Sequence, residues 1–188
     1  VSALEEAFAL LNQAPIENAE PFERVLDVLN EVDADIVALQ EADRRFGKRI
    51  SALPLDLIAA HTDYVPVPFD TRPDSIGHHG NAILSKRPLH KGQNYDISAY
   101  RFERRGLLHS ITQLEGIATP IHCFCVHLAL FERGRERQLE EIIRYIDSLA
   151  NGGPTIVAGD FNDWRNRVSA PMRAAGFDEV FEVLTGAP

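Results

Sequence analysis

Thr155-Ile156-Val157-Ala158-Gly159-Asp160-Phe161-Asn162-Asp163 is the stretch of sequence on which the interpretation of the chain depends. It begins as a short apolar run, which is typical of a buried strand, and the run stops at Gly159. A carboxylate and a carboxamide, Asp160 and Asn162, follow two residues apart. Asp160 can hold and deprotonate a water molecule, and Asn162 can donate to a phosphoryl oxygen. The metal-assisted hydrolysis of a phosphate ester requires both functions.

Two upstream segments have the same pattern of an apolar strand followed by a polar group. The strand predicted for Ala34 to Glu41 ends on a carboxylate, a ligand that suits Mg²⁺. The strand predicted for Ile121 to Leu128 carries a histidine, His127, at its end. The sequence therefore places polar groups at three strand ends.

Each of these groups also has a purely structural interpretation. Asp160 and Asn162 could be turn residues that bond their own backbone. Glu41 could be a solvated residue that caps the next turn. His127 could be a core histidine whose ring bonds to a neighbour, because it shares a strand face with apolar residues. The local patterns leave both interpretations open.

Four motifs together carry a resemblance to a known family. They are Gln40-Glu41, the GHHGNAILS run from Gly77 to Ser85, the VHL of Val126 to Leu128, and the GDFND of Gly159 to Asp163. In order and spacing they resemble the endonuclease/exonuclease/phosphatase superfamily, over nearly the whole chain. That superfamily includes deoxyribonuclease I, abasic-site nucleases of the exonuclease III type, inositol polyphosphate 5-phosphatases and neutral sphingomyelinases. The most similar members form an uncharacterised bacterial branch.

The sequence pattern predicts helices interspersed with largely antiparallel strands. Apolar residues at helical spacing predict a helix that opens at Pro21, one over Leu53 to His61 and one over Arg133 to Leu149. Alternating residues predict an antiparallel pair, Leu108 to Glu115 and Ile121 to His127, joined around Gly116. A strand from Asn81 to Ser85 follows a proline-broken loop from Pro66 to Gly77. This pattern indicates an α/β (α+β) protein, and the resemblance implies a four-layer α/β/β/α sandwich of two mainly antiparallel sheets flanked by helices.

The resemblance also implies catalytic roles for individual residues. Glu41 matches the carboxylate that holds one Mg²⁺ or Mn²⁺ in relatives. Asp160 is expected to orient and activate the attacking water. His127 matches the histidine that contacts the scissile phosphate, and with Asn162 and Arg105 it is expected to stabilise the charged transition state.

Three further residues are expected to bind substrate: His79, Asn81 and Arg105. Two adjacent histidines on an extended chain point to opposite sides, so they do not form a metal-ligand pair, and we expect His79 to contact phosphate. Asn81 is expected to orient its neighbours. Arg105 matches a phosphate-facing basic residue of relatives, and the alternative for Arg104-Arg105 is a solvated charge pair.

Two other features of the sequence lie outside these motifs. Trp164 follows the Asp160 loop and could stack on a base, line a lipid-facing rim or pack half-buried. The charged residues from Glu132 to Glu141 are interpreted as a solvated helix face.

The composition favours one compact domain and argues against a polymeric nucleic-acid substrate. The chain has 188 residues, 45% of them hydrophobic, with 19 basic and 28 acidic residues and a net charge of −9. Such a balance is a poor match for holding long DNA by its backbone. The resemblance implies a metal-dependent phosphoesterase, and this charge balance leads us to expect a small-molecule or lipid-linked substrate. The alternatives are a DNA endonuclease or exonuclease, and an inactive module that binds a phosphate ligand.

Cysteine usage and hydropathy bear on the compartment. Cys123 and Cys125 lie two apart on one strand face, which disfavours a mutual disulfide, so we interpret them as core residues in a reducing, cytoplasmic environment. No apolar run is long enough to span a membrane, and no zinc pattern occurs. We expect a monomer.

Two motifs of the superfamily are not found between Val1 and Pro188. Relatives begin with a strand that carries a metal-binding Asn and finish with a strand that reaches an Asp-His pair. We expect residues 1–188 to form a single domain whose two missing strands lie outside this sequence.

Overall fold

A computed structural model of the protein describes residues 20–43, 53–55, 58–59, 62–67, 79–180 and 183. The elements with defined bounds are, in chain order, α1 (Glu20–Val32), β1 (Ile36–Asp43), β2 (Leu53–Pro54), β3 (Val65–Val67), β4 (His79–Ser85), β5 (Leu89–Asp96), β6 (Gly106–Thr112), β7 (Ile121–His127), α2 (Glu132–Ala150), β8 (Thr155–Asp160) and α3 (Ser169–Ala174). This mixture of helices and strands confirms the α/β class.

The strands form two four-stranded sheets. Sheet one has the order β2-β1-β4-β3, and sheet two has the order β5-β6-β7-β8. Among the described strands, β1 with β2 and β7 with β8 are parallel pairs, and the other neighbours are antiparallel. The prediction of two mainly antiparallel sheets, with β6 and β7 as an antiparallel pair, is confirmed.

The two sheets pack on each other, and each carries helices on its outer side. On β7, Cys123 and Cys125 face sheet one. They belong to a buried cluster that continues through sheet one to α1. The alternate residues, Phe124 and Val126, face the core beneath α2 and α3. This alternation is the period-two pattern of a strand buried on both faces. The layers are therefore helix, sheet, sheet and helix, as the resemblance implied.

Both cysteines are buried and free, as expected for small core residues. Burial raises the pKa of Cys123 to about 11 and the pKa of Cys125 to about 12. A thiol with such a pKa stays protonated near neutral pH and is a poor nucleophile. We therefore assign neither cysteine a chemical role.

The long helix α2 is one residue longer at each end than the sequence predicts. Its apolar residues recur at helical spacing and are buried against sheet two. The helix ends at Asn151, which adopts the left-handed conformation with a φ of 46° and donates its backbone N–H to the carbonyl oxygen of Asp147.

The prediction of a solvated face for the charged residues from Glu132 to Glu141 is wrong for one of them, Arg135. Arg135 and Gln138 are buried. The Arg135 guanidinium donates to the carbonyl oxygens of Ala129 and Leu130, and the Gln138 side-chain oxygen accepts the backbone N–H of Ala129. The burial of these polar side chains is tolerated because each one hydrogen-bonds to backbone groups of the loop that follows β7.

The helix predicted over Leu53 to His61 begins later than expected. Its first two residues form β2, because they pair in parallel with Ala42 and Asp43 at the end of β1. The backbone is helical at Leu55 and again at Ile58 and Ala59.

The proline-broken loop predicted from Pro66 to Gly77 also begins later. Pro66 lies in β3, which pairs with β4 and is an edge strand of sheet one within the described residues. A proline is tolerated there because an edge strand leaves one side of its backbone unpaired. The rest of this predicted loop, residues 68–77, lies outside the described residues. The strand that follows begins at His79, two residues before the predicted start.

Gly159 is the point at which the backbone requires glycine in β8. Its φ is +140°, which L side chains rarely adopt. A Cβ atom at this position would overlap the carbonyl oxygen of Val126 on the neighbouring strand β7. Glycine therefore permits β7 and β8 to stay paired up to their last residues.

We predict that Gly159→Ala lowers the free energy of unfolding by about 2–4 kcal/mol, because it combines a disfavoured φ with a backbone overlap. Gly116→Ala is the matched control, since Gly116 also has a positive φ but has open space around it. Gly116→Ala should lower the free energy of unfolding by about 1 kcal/mol. Urea denaturation of both variants measures the difference, and equal losses would contradict the overlap.

Candidate active site

The parallel strands β7 and β8 end side by side and bring His127 and Asp160 together. These two residues are paired in register at the ends of their strands. The Nε2 atom of His127 lies 3.8 Å from the Oδ2 atom of Asp160. The Asp160 side chain is half exposed, whereas that of His127 is mostly buried. An acid and an imidazole therefore face the same solvent-accessible point.

Backbone hydrogen bonds hold the loop that follows Asp160. The Oδ1 atom of Asp160 accepts the backbone N–H of Asn162 at 2.8 Å, which is a turn of the kind that the structural interpretation expects. The buried Asn162 side chain donates through Nδ2 to the carbonyl oxygen of Leu128 at 2.8 Å. The second oxygen of Asp160 faces His127. Asp160 is therefore both a turn residue and a site residue, and donation by Asn162 to a phosphoryl oxygen stays a prediction.

Asn81 joins the two sheets beneath this site. Its Nδ2 atom donates to the carbonyl oxygen of Gly106 on β6 at 2.8 Å and to that of Cys125 on β7 at 3.1 Å. Asn81 itself lies on β4 and is 7% exposed. The expectation that it orients its neighbours fits this geometry, and its contact with substrate stays a prediction.

Arg105 is held by an acid that the sequence analysis missed. Its Nη2 atom lies 2.9 Å from the Oε1 atom of Glu103, and both side chains are mostly buried. Glu103 lies two residues before Arg105, so both face the same side of an extended chain, and this spacing could have identified it. Among the described residues, Arg105 Nε and Glu103 Oε2 have no hydrogen-bond partner although they are buried.

Arg104, by contrast, is a solvated residue in an ion pair, which was the alternative considered for the two arginines. It lies half exposed and pairs with Asp96 at 3.0 Å. Of the two adjacent arginines, Arg105 is the one whose positive charge lowers the pKa of His127.

Four charged groups surround His127. Burial is the main reason why the pKa of His127 lies below its ordinary value, and the positive charge of Arg105 lowers it further. The negative charges of Asp160, Glu41 and Glu103 oppose this shift. The imidazole is therefore neutral near pH 7, with one ring nitrogen able to donate and the other able to accept.

The position of Glu41 differs from the predicted strand end. β1 continues to Asp43, and its pairing with β4 shifts between Leu39 and Ala42. Glu41 lies in this bulge with a φ of 56°, and its side chain is exposed. Next to it, Gln40 donates to the sulfur of Cys125 on sheet two at 3.4 Å. A bulge re-aims a side chain, which explains how a mid-strand residue reaches the ends of β7 and β8.

The donor set at this bulge suits a hydrated hard cation. Mg²⁺ binds through one or two carboxylates and keeps several waters, and Glu41 offers one exposed carboxylate whose charge reaches His127. Within the described residues no group of three or more His, Cys, Asp or Glu side chains could hold a metal ion. The residues present therefore fit a weak, water-rich site and not a closed protein cage.

The other predicted residues are placed as follows. His79 is the first residue of β4 and pairs with Asp43, but its side chain lies outside what the structure describes, as does the whole of His78. Trp164 is 88% exposed, so the half-buried packing alternative is wrong.

Comparison of the sequence with models of protein families identifies the family of this chain. A model of the Endonuclease/Exonuclease/phosphatase family matches residues 11–177. The chain belongs to this family. The matched region includes β1, β4, β7 and β8, the strands that carry the candidate site.

Relatives of this Endonuclease/Exonuclease/phosphatase protein include the uncharacterised protein YbhP of Escherichia coli K12. The two are 42% identical over 113 residues, which is 60% of this chain and 45% of YbhP. The chain thus matches less than half the length of its curated relatives.

Solved structures support the fold. A family protein from Bacteroides vulgatus has a TM-score of 0.67 at 14% identity, covering 84% of this chain and 64% of its own. ANGEL2, described as a 2′,3′-cyclic phosphatase in complex with adenosine-2′,3′-vanadate, has a TM-score of 0.59 at 21% identity, covering 77% of this chain and 44% of its own.

In the described part of this chain, no helix is both long and apolar enough to cross a membrane.

We predict that Arg105→Gln raises the pKa of His127, because it removes a positive charge that disfavours the imidazolium. Asp160→Asn should lower the same pKa, because it removes a stabilising negative charge. NMR titration of the His127 ring in metal-free buffer measures both shifts. Arg144→Gln, at an exposed pair on α2, is the control and should leave the titration unchanged. A shift in the same direction for the first two variants would contradict the assignment.

Proposed function

We propose that this protein is a Mg²⁺- or Mn²⁺-dependent phosphoric ester hydrolase that acts on a small-molecule or lipid-linked phosphoester. The observation that carries the proposal is the pairing of His127 with Asp160 at the ends of β7 and β8, within range of the Arg105 and Glu41 charges. Membership of the family supports the class of reaction.

Asp160 is the residue we assign to the attacking water. One carboxylate oxygen is held by the backbone of Asn162, which fixes the orientation of the group. The other oxygen is directed to the solvent-accessible side, where it can hold a water and accept its proton. Fixing the carboxylate in this way reduces the entropy that must be lost when the water is aligned with the phosphorus atom.

His127 and Arg105 are the groups we assign to the phosphoryl oxygens. The neutral imidazole of His127 can donate one N–H, and the Arg105 guanidinium supplies a fixed positive charge. The unpartnered Nε of Arg105 is consistent with a donor that has its partner only when a phosphate is bound. Glu103 holds Arg105 in place at 2.9 Å.

Glu41 is the residue we assign to the metal ion. A bound Mg²⁺ or Mn²⁺ would polarise a phosphoryl oxygen and neutralise developing charge. The exposed position of Glu41 leaves room for the waters that such an ion retains.

The substrate class is supported by charge. The chain has a net charge of −9, and a protein that binds long DNA needs many cations to replace condensed counterions. The groups near the site, Arg105 and His127, suffice for one phosphate.

Turnover assays with and without EDTA test the proposal directly. The panel contains bis-p-nitrophenyl phosphate, inositol phosphates, lipid phosphodiesters and plasmid DNA. We expect EDTA-sensitive hydrolysis of a small or lipid substrate. Efficient plasmid nicking with a log–log salt slope steeper than about −4 would instead establish the nuclease alternative. Phosphate-ligand binding that is unaffected by EDTA, without turnover, would establish the inactive binding module.

We predict that Asp160→Asn lowers kcat by about 10²–10⁴-fold, because it removes the base and keeps the side-chain volume. Asp147→Asn, an exposed carboxylate on α2, is the matched control and should retain full activity. Circular dichroism confirms that both variants fold. Near-native turnover by Asp160→Asn would exclude this residue as the base.

We predict that Glu41→Gln weakens Mn²⁺ binding by roughly tenfold or more, because it removes the charge of the carboxylate that we assign to the ion. Titration of Mn²⁺ followed by electron paramagnetic resonance measures free and bound ion without any turnover. Glu115→Gln, an exposed acid in the β6–β7 loop, is the control. Equal Mn²⁺ affinity in Glu41→Gln and the unchanged protein would place the ion elsewhere.

A further inference from the structure

The loops around the candidate site direct large apolar side chains into solvent. Phe102 and Trp164 are exposed and share a loop with Arg105 and Asn162, and the exposed Leu130 and Phe131 lie on the loop that directly follows His127. Phe102 is 77% exposed. We call these four residues the apolar rim. Isolated exposed apolar residues are common on soluble proteins, but several around one functional site indicate a contact surface.

Aromatic packing fixes part of the rim in place. The ring of Tyr100 stacks on Phe102 with centroids 5.1 Å apart, and it meets Phe131 edge-on at 6.3 Å. Behind Tyr100 lies Gly134, where a Cβ atom would collide with the tyrosine ring. The backbone N–H of Leu130 donates to the Glu103 carboxylate that holds Arg105. The rim and the site are therefore built on shared contacts.

Ion pairs bring the Trp164 loop to the same region. Arg165 and Arg167 both lie within ion-pair distance of Glu132, at 3.8 Å and 3.3 Å. Glu132 is the first residue of α2 and directly follows Phe131. The loop that carries Trp164 is thus tied beside the rest of the rim.

The loops that carry the rim have a small excess of positive charge, although the chain as a whole is acidic. The exposed arginines on the rim loops are Arg101, Arg104, Arg165 and Arg167. The carboxylates that pair with them are Asp96 and Glu132. The same loops also carry Arg105, Glu103 and Asp163, so five arginines stand against four carboxylates when Asp96 and Glu132 are included, in a chain whose net charge is −9.

We propose that the apolar rim docks on the surface of an anionic phospholipid bilayer, so that a lipid phosphoester is presented to Asp160 and His127. The hydrolysis of that lipid rests on the proposed function, whereas the docking does not. Aromatic side chains flanked by arginines suit a membrane interface, because the rings enter the headgroup region while the cations meet anionic lipids. Charge complementarity with the rim arginines selects an anionic surface over a neutral one.

Stacking on single-stranded nucleic acid is less well supported by the same residues. Leu130 has no ring, and Tyr100 covers one face of Phe102. A base-stacking platform needs open aromatic faces and a groove of unpaired cations.

Trp164 is the single tryptophan of the chain, so its fluorescence reports directly on docking. We expect its emission to shift to shorter wavelength, and the protein to co-sediment, with phosphatidylcholine vesicles that contain phosphatidylglycerol. Pure phosphatidylcholine vesicles should bind it more weakly. Asp160→Asn should bind as the unchanged protein does, because the measurement requires no turnover, so loss of activity and loss of docking are distinguished.

The double variant Phe102→Ser, Phe131→Ser tests the rim itself. Phe131 is the N-cap of α2, a position that favours Ser, so the helix should be retained. We expect the vesicle partition coefficient to fall by roughly tenfold or more for each aromatic residue. Ile117→Ser, an exposed apolar residue at the other end of β7, is the control and should bind normally. Equal binding by the double variant and the control would overturn the proposal, as would Trp164 quenching by oligothymidylate without a vesicle response.

Discussion

The hydrogen bonds of one buried amide, that of Asn81, determine how the two sheets meet at the site. Asn81 is on sheet one, and the carbonyl oxygens that it bonds, those of Gly106 and Cys125, are on two strands of sheet two. Gly106 follows Arg105, and Cys125 lies two residues before His127. A buried amide left without these partners would cost about 1–3 kcal/mol, so the sheets are held where both bonds form. The placement of Arg105 and His127 relative to Glu41, which lies on sheet one, depends on this constraint.

The electrostatics of the site follow from that placement. His127 is brought close to Arg105 and is partly removed from water, and both effects lower its pKa. Three carboxylates act in the opposite direction, but burial is the largest effect. Glu103 pairs with Arg105, which leaves Asp160 and Glu41 as the acids with solvent-accessible side chains. The fold therefore separates the acid that pairs with Arg105 from the two acids that we propose for the attacking water and the metal ion.

The parts of the site that follow from local patterns were predictable, and those that depend on distant partners were not. The ends of β7 and β8 could be predicted, because an apolar strand pattern that stops at a polar residue is visible within a few residues. The polar strand β5 was not predicted, because its residues form a strand by pairing with β6. The bulge at Glu41 was missed for the same reason, since a bulge is a property of two paired strands.

The backbone at Glu41 gives an independent reason to assign it a function. Among the described residues other than glycine, those with positive φ are Asp33, Glu41, Asn151, Asn162 and Asn166. Asp and Asn adopt this conformation readily, whereas for Glu it costs about 1–2 kcal/mol. The strain is maintained because β1 is paired with β4 on both sides of the bulge, at Leu39 and at Ala42. Strain of this kind collects at functional sites, because the fold retains it only where a side chain must be re-aimed. Here the re-aimed side chain is the carboxylate whose charge reaches His127 from the opposite sheet.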